Sequence, residues 1–442
     1  MSIFARSLLL FGALAIGASV NAAQAQTTWT ETILLDFTES GAAAGLGFNP
    51  QMGVLRDSAG IYGSAYNGGA NSGGTIYFRS GSNLRALYSF SNQPYSEQNK
   101  NTTRCGFHPS ARLIKNGRSL YGTTYEGGQF GGGVVFKLVD SNDPNKQWTC
   151  NVLHSFSNTG SARAQGYASF GGLVQGADGA LYGTAQFNAR TKDSTGVIIP
   201  TGGVVFRLRS TANGWGYKVL HTFSVADRTA GLVPTGPLTE KNGVLYGATF
   251  FGGLHDGGVV YKMLVDGSGF QVLWTFQGNA EAPAALRGYR PTQGPLLVDA
   301  SGAVYGETAT GGKQADGSFS TGGVVFQLVP KAQPPYGYKV LYNFDSNNSP
   351  QLGFGPIGGL AMGPDGFLYG NTQFGGAAGG GSVFRLTGAN KNTFELLFDF
   401  PDGSLGFRPS GPLSIGGAGN LVGTTFLGGA QNGGVVFQLK KP

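Results

Sequence analysis

The sequence predicts an all-β fold, a seven-bladed β-propeller closed by its N-terminal strand. Three observations carry that expectation. A unit of about sixty residues recurs seven times, a little longer than the roughly 20–50-residue periods that mark solenoids and propellers. Copies one to six each hold four short apolar runs separated by turn residues. The last copy lacks its fourth run, and a matching run stands alone ahead of the first copy.

The repeat is marked by Tyr-Gly after an apolar residue, at Tyr62, Tyr121, Tyr182, Tyr246, Tyr305 and Tyr369, with Val422-Gly423 in the seventh copy. The first strand of each copy follows a Gly-aromatic-x-Pro entry: Gly47 to Pro50, Gly106 to Pro109, Gly288 to Pro291, Gly353 to Pro356 and Gly406 to Pro409. Copy three (Gly166 to Ser169) loses the proline, and copy four (Gly231 to Pro234) loses the aromatic. Asn116-Gly117, Asp178-Gly179, Asn242-Gly243 and Asp365-Gly366 read as two-residue turns joining this strand to the Tyr-Gly strand. A glycine-rich loop leads to a third strand such as Gly133 to Leu138, and Leu-x-x-Phe forms the fourth: Leu87, Leu153, Leu220, Leu273, Leu341 and Leu397 begin six of them. The seventh is Leu34-Leu35-Asp36-Phe37, before the first entry motif. A solenoid has no use for that displacement. A ring does, because an N-terminal strand that completes the last blade removes two exposed sheet edges.

Residues 1–25 read as a signal peptide, with Arg6, an apolar run from Leu8 to Val20 and the small-residue stretch Ala23-Gln24-Ala25; residues 26–442 then form a single propeller domain. No later run reaches the length of a membrane-spanning helix. A periplasmic or secreted location is expected. Cys105 and Cys150, the two cysteines, are expected to pair as a disulfide in that oxidising setting, since their spacing matches no zinc site. Glycine (78) and proline (20) approach low-complexity levels, but 40% of residues are apolar and recur in register, which excludes disorder. The formal charge of +7 is scattered, so nucleic-acid binding is not expected, and neither is a metal or a cofactor.

These runs resemble the GloVer tandem-repeat family of bacterial exported proteins, whose unit reads roughly G-x-x-P, L-Y-G-T-T, G-G and G-V-F-K-L. Leu120 to Thr124, Gly127-Gly128 and Gly133 to Leu138 are its clearest copy. Copies three and seven depart from it, at Gln186 to Arg190 and at Val422, where local irregularity is expected. The resemblance implies repeat architecture and export, and it supplies no catalytic residue.

No His-Glu-x-x-His, nucleophile elbow, P-loop or EF-hand loop occurs. His154 and His221 fall where other copies carry Tyr88, Trp274, Tyr342, Phe398 or Leu35, and read as flat rings on an outer strand. The residue before the entry proline is expected at the central mouth: Asn49, His108, Ala168, Val233, Arg290, Gly355 and Arg408 in order. Structural need alone would treat these positions alike, so the grouping of Arg290, Arg408, Asn49 and His108 on one side nominates a ligand site, with drift at exposed positions as the alternative. Paired guanidiniums suit a carboxylate or sulfate. Tyr66, Tyr125, Phe187, Phe250, Phe251, Phe374 and Phe426 on the same face offer platforms for a sugar ring. Glu307 replaces the usual Thr or Ser after Tyr-Gly; it reads as an ion-pair partner for a neighbouring arginine or as a general base.

The expected function is a monomeric binding or scaffold module for a glycan, an anionic ligand or an extracellular protein, with catalytic residues unassigned. The alternative is a lyase or hydrolase of an acidic polysaccharide that uses Arg290, Arg408, His108 and Glu307.

Overall fold

The computed structural model describes residues 29–38, 45–93, 104–192, 198–278, 288–312, 320–332, 335–346, 349–401, 403–416 and 418–441. The expected signal peptide lies outside them. Seven antiparallel sheets follow one another along the chain, each ordered first to fourth strand. In the seventh the order is Thr30–Thr38, Asn432–Lys440, Leu421–Leu427, Phe407–Ile415, so the N-terminal strand supplies the outer edge of the last blade. Thr30 opposes Lys440 and Leu35 opposes Val436 across that closure.

The core is the set of contacts between blades. Seven apolar clusters each join one blade to the next, from Leu87, Phe90, Leu120 and Phe136 between blades one and two to Leu35, Phe37, Val54 and Tyr77 between blades seven and one. The third strands are buried on both faces, which is why they read as unbroken Val-Val-Phe or Val-Val-Tyr runs and not as alternating ones.

Two glycine positions explain the repeat signature. The glycine of Tyr-Gly lies opposite a third-strand aromatic, as in Gly63 with Tyr77 and Gly122 with Phe136. That ring lies over the glycine: a Cβ on Gly122 would meet Phe136 at 2.5 Å. The third-strand glycine receives the entry proline of the following blade. Added Cβ atoms on Gly74, Gly258, Gly381 and Gly434 would lie 2.5–2.8 Å from Cδ of Pro109, Pro291, Pro409 and Pro50. Blade docking therefore requires both residue types at once.

Asn242 and Gly243 both take positive φ, 54° and 80°, giving the expected two-residue turn between Thr239–Lys241 and Val244–Phe251. Asp178-Gly179 does not form one. The loop there is longer, with Gly176 N–H bonded to Ala180 O, because Asp178 is committed to accepting from Ala180 N–H and from the Tyr182 hydroxyl at 2.9 Å. Asp365 holds Tyr369 in the same way. Blade three carries an added hairpin, Ala189–Lys192 with Ile198–Thr201, where its sequence leaves the repeat pattern.

Cys105 and Cys150 are bonded to each other and buried, tying the entry of blade two to its outer strand. No helix among the described residues is long and apolar enough to cross a membrane.

Candidate functional site

The seven residues before the entry proline share one backbone state. Asn49, His108, Ala168, Val233, Arg290, Gly355 and Arg408 all have φ between 57° and 67°. This left-handed conformation turns each N–H back toward the preceding blade: Ala168, Val233, Gly355 and Arg408 donate to Gly132, Gly202, Gly322 and Gly380 carbonyls at 2.7–3.0 Å. For a non-glycine residue that state costs roughly 1–2 kcal/mol. Structural need does treat the seven positions alike, but through the backbone, leaving the side chains free to differ.

The large side chains at these positions, Arg290, Arg408 and His108, settle on the blade before them. Arg290 places its guanidinium 5.4–5.6 Å from the ring centres of Phe250, Phe251 and Tyr289, and Arg408 lies 5.4 Å from Phe374 and 5.5 Å from Phe407. Neither arginine has a carboxylate within 4 Å among the described residues. Arg408 Nε is buried without a hydrogen-bond partner. Between them in the ring, blade six presents only Gly355.

On the other side, His108 stacks on Tyr66 with centroids 4.4 Å apart and the planes 7° from parallel, with Phe107 edge-on. Glu126 comes within 4.0 Å of His108 Nδ1. Burial lowers the His108 pKa and Glu126 works against it; burial raises that of Tyr66 to about 12, with Glu126 and Tyr125 adding to the rise. The structure thus gathers Tyr66, His108 and Tyr125 around Glu126. Asn49 is buried and used up structurally, donating to Phe426 O and accepting from Asn67, each at 2.9 Å.

Glu307 stands apart from the arginines. It is 2% exposed, and its Oε2 accepts from Gly359 N–H of the next blade at 2.8 Å while Oε1 has no partner. The expected ion pair is absent among the described residues, because the position faces the neighbouring inner strand, where Thr184 and Asn371 bond to Gly236 O and Gly411 O. Burial raises the Glu307 pKa to about 8, opposed by the Gly359 hydrogen bond.

His154 and His221 behave as flat rings. They stack on Tyr217 and Phe270 of the following blade at 3.8 Å, as Trp274 does on Tyr338 and Tyr342 on Phe394. Burial lowers the His154 pKa to about 4.

Sequence reasoning passed over the axis. There the inner strands meet backbone to backbone: a Cβ on Gly411 would lie 2.2 Å from the Met52 carbonyl carbon, and one on Gly294 2.2 Å from Gly359 N. Immediately before Leu113 comes Arg112, where the other six blades have Gly53, Gly172, Pro237, Pro295, Gly359 and Pro412 before Val54, Leu173, Leu238, Leu296, Leu360 and Leu413. Aligning that column, one position short of the recurrent leucine, would have exposed it.

The fold defines a seven-bladed β-propeller built from one repeat. The chain belongs to the Gloeobacter/Verrucomicrobia repeat family, whose model matches residues 32–201 and 194–437. Solved structures of similar fold include an oligogalacturonate lyase from Vibrio parahaemolyticus (10% identity, TM-score 0.50, covering 94% of this chain and 97% of that one). A putative oxidoreductase (glucose dehydrogenase) from Thermus thermophilus is 15% identical, with TM-score 0.43 and coverage of 93% and 100%. A putative 6-phosphogluconolactonase from Bacteroides uniformis is 14% identical, with TM-score 0.44 and coverage of 78% and 82%. At these identities the likeness is one of fold. No curated protein matches the chain.

Proposed function

We propose that this propeller is an exported binding module that takes an anionic glycan on its mouth face, with Arg290 and Arg408 supplying the charge. One observation carries the reading: two guanidiniums, in the blades on either side of the one whose pre-proline residue is Gly355, lie over aromatic rings with no carboxylate within 4 Å among the described residues. Stacked guanidiniums keep their in-plane N–H donors for an oxyanion. Phe250, Phe251 and Phe374 beside them add apolar surface for a sugar face. The buried Cys105–Cys150 bond fits an oxidising compartment. Glu307 is sealed between blades, which favours binding over acid–base chemistry at the mouth.

Polygalacturonate binding to the mature protein tests this, with a neutral glucan as control. Arg290→Gln with Arg408→Gln is expected to weaken binding at least tenfold, since a hydrogen bond to a charged group contributes about 1.5–3 kcal/mol. Equal affinity in parent and double variant, or none in either, would overturn the reading.

A further inference from the structure

The axial cavity of about 310 Å³ is walled by blades one to five and seven, among them Met52, Leu113, Gly171, Pro237, Pro295 and Pro412. Its surface is largely apolar. Two cationic side chains line it, Arg112 and Lys115. Lys115 is neutralised by an ion pair with Asp57 and also donates to the Tyr62 hydroxyl at 3.0 Å. Arg112 has no such partner. Its Nη2 reaches past blade one to the Ser414 hydroxyl of blade seven, 3.3 Å away and 302 residues distant in sequence, and no carboxylate lies within 4 Å of it among the described residues. Ser414 spends its own proton on Val54 O at 2.6 Å.

An arginine stays protonated in proteins, and a charge drawn out of water without a counter-charge is costly. Burial lowers the Arg112 pKa, and no acidic neighbour offsets it. Packing does not ask for the residue either, because glycine or proline fills the same place in six blades. A lone cation exposed to an apolar cavity, at a position where the repeat otherwise keeps the axis bare, is a recognition element for an anion.

The walls decide which anion. Sulfate or phosphate would leave most of its oxygens facing leucine, methionine and proline. A single planar carboxylate matches one guanidinium fork, and an apolar body matches the rest. The volume falls at the lower end of small-molecule sites. We propose that the axial cavity binds a small organic monocarboxylate, its carboxylate on Arg112 and its apolar body against the walls from Met52, Leu113 and the three prolines.

Sodium benzoate is the probe, titrated into the mature protein by calorimetry, with acetate and sulfate alongside. Saturable one-to-one binding is expected at about 1 mM or tighter, stronger for benzoate than for acetate or sulfate. Arg112→Met should weaken it at least tenfold, whereas the Arg290→Gln/Arg408→Gln protein should bind benzoate as the parent does. That last arm separates this site from the mouth. Because Met removes an uncompensated charge, the Arg112→Met protein should melt no lower than the parent; a lower melting temperature would make Arg112 a structural brace between blades and overturn the proposal. So would an absence of saturable benzoate binding, equal binding by sulfate, or benzoate affinity unchanged by Arg112→Met.

Discussion

The mouth and the axis of this ring are built from the same seven inner strands, a few residues apart, and the repeat constrains them in opposite ways. At the mouth it imposes a left-handed backbone on Asn49, His108, Ala168, Val233, Arg290, Gly355 and Arg408, while the side chains there vary. At the axis it restricts the side chain itself, because neighbouring backbones come close, and six of the seven blades keep glycine or proline there. Variation therefore carries different weight in the two places. Six residue types at the seven mouth positions record a loose constraint on the side chain, whereas one arginine among glycines and prolines at the axis departs from a rule.

The comparison breaks most visibly where a single methyl is added. Gly411→Ala places a Cβ 2.2 Å from the Met52 carbonyl carbon at φ +73°, with backbone on the other side that cannot yield as a side chain could. We expect a loss of about 3 kcal/mol or more in urea unfolding. A loss under about 1 kcal/mol would show that the axis is looser than the contacts imply.

Glu307, which reaches toward the inner strand of blade six, sharpens the contrast through pH. Its folded pKa, about 8, lies above the unfolded value of 4.5, chiefly from burial. The folded state therefore holds a proton that the unfolded state releases between these values. Its contribution to stability is complete below pH 4.5, declines as pH rises, and is gone above about pH 8, a change on the order of a few kcal/mol. Glu307→Gln should flatten that slope in melts taken from pH 5 to 9. An identical slope in parent and variant would mean that Glu307 is ionised in the folded ring.

The smallest effect is expected at the mouth. Arg290→Gly or Arg408→Gly relieves the left-handed strain but gives up contact with the rings, terms of roughly 1–2 and 0.5–1 kcal/mol that oppose each other. Stability should stay within about 1 kcal/mol of the parent. A loss above about 2 kcal/mol would assign the arginines to blade docking, and their unpaired charge would lose its claim as a binding feature.

Most of the architecture was legible because a ring repeats its instructions. The Tyr-Gly spacing, the entry prolines and the displaced Leu34 to Phe37 run were enough to count blades and close them, and the two cysteines were enough to pair. His154 and His221 were readable as rings from the residues that replace them in other copies. Local patterns of this kind record backbone geometry and burial, which each copy must satisfy by itself. What a side chain meets across a blade boundary is not encoded within its own copy. Glu307 finds a backbone N–H and no arginine, Asn49 is consumed by Phe426 and Asn67, and Arg112 spans to Ser414 two blades away. Those partners are set by the radius and stagger at which seven sheets pack around one axis, so only the tertiary structure decided them.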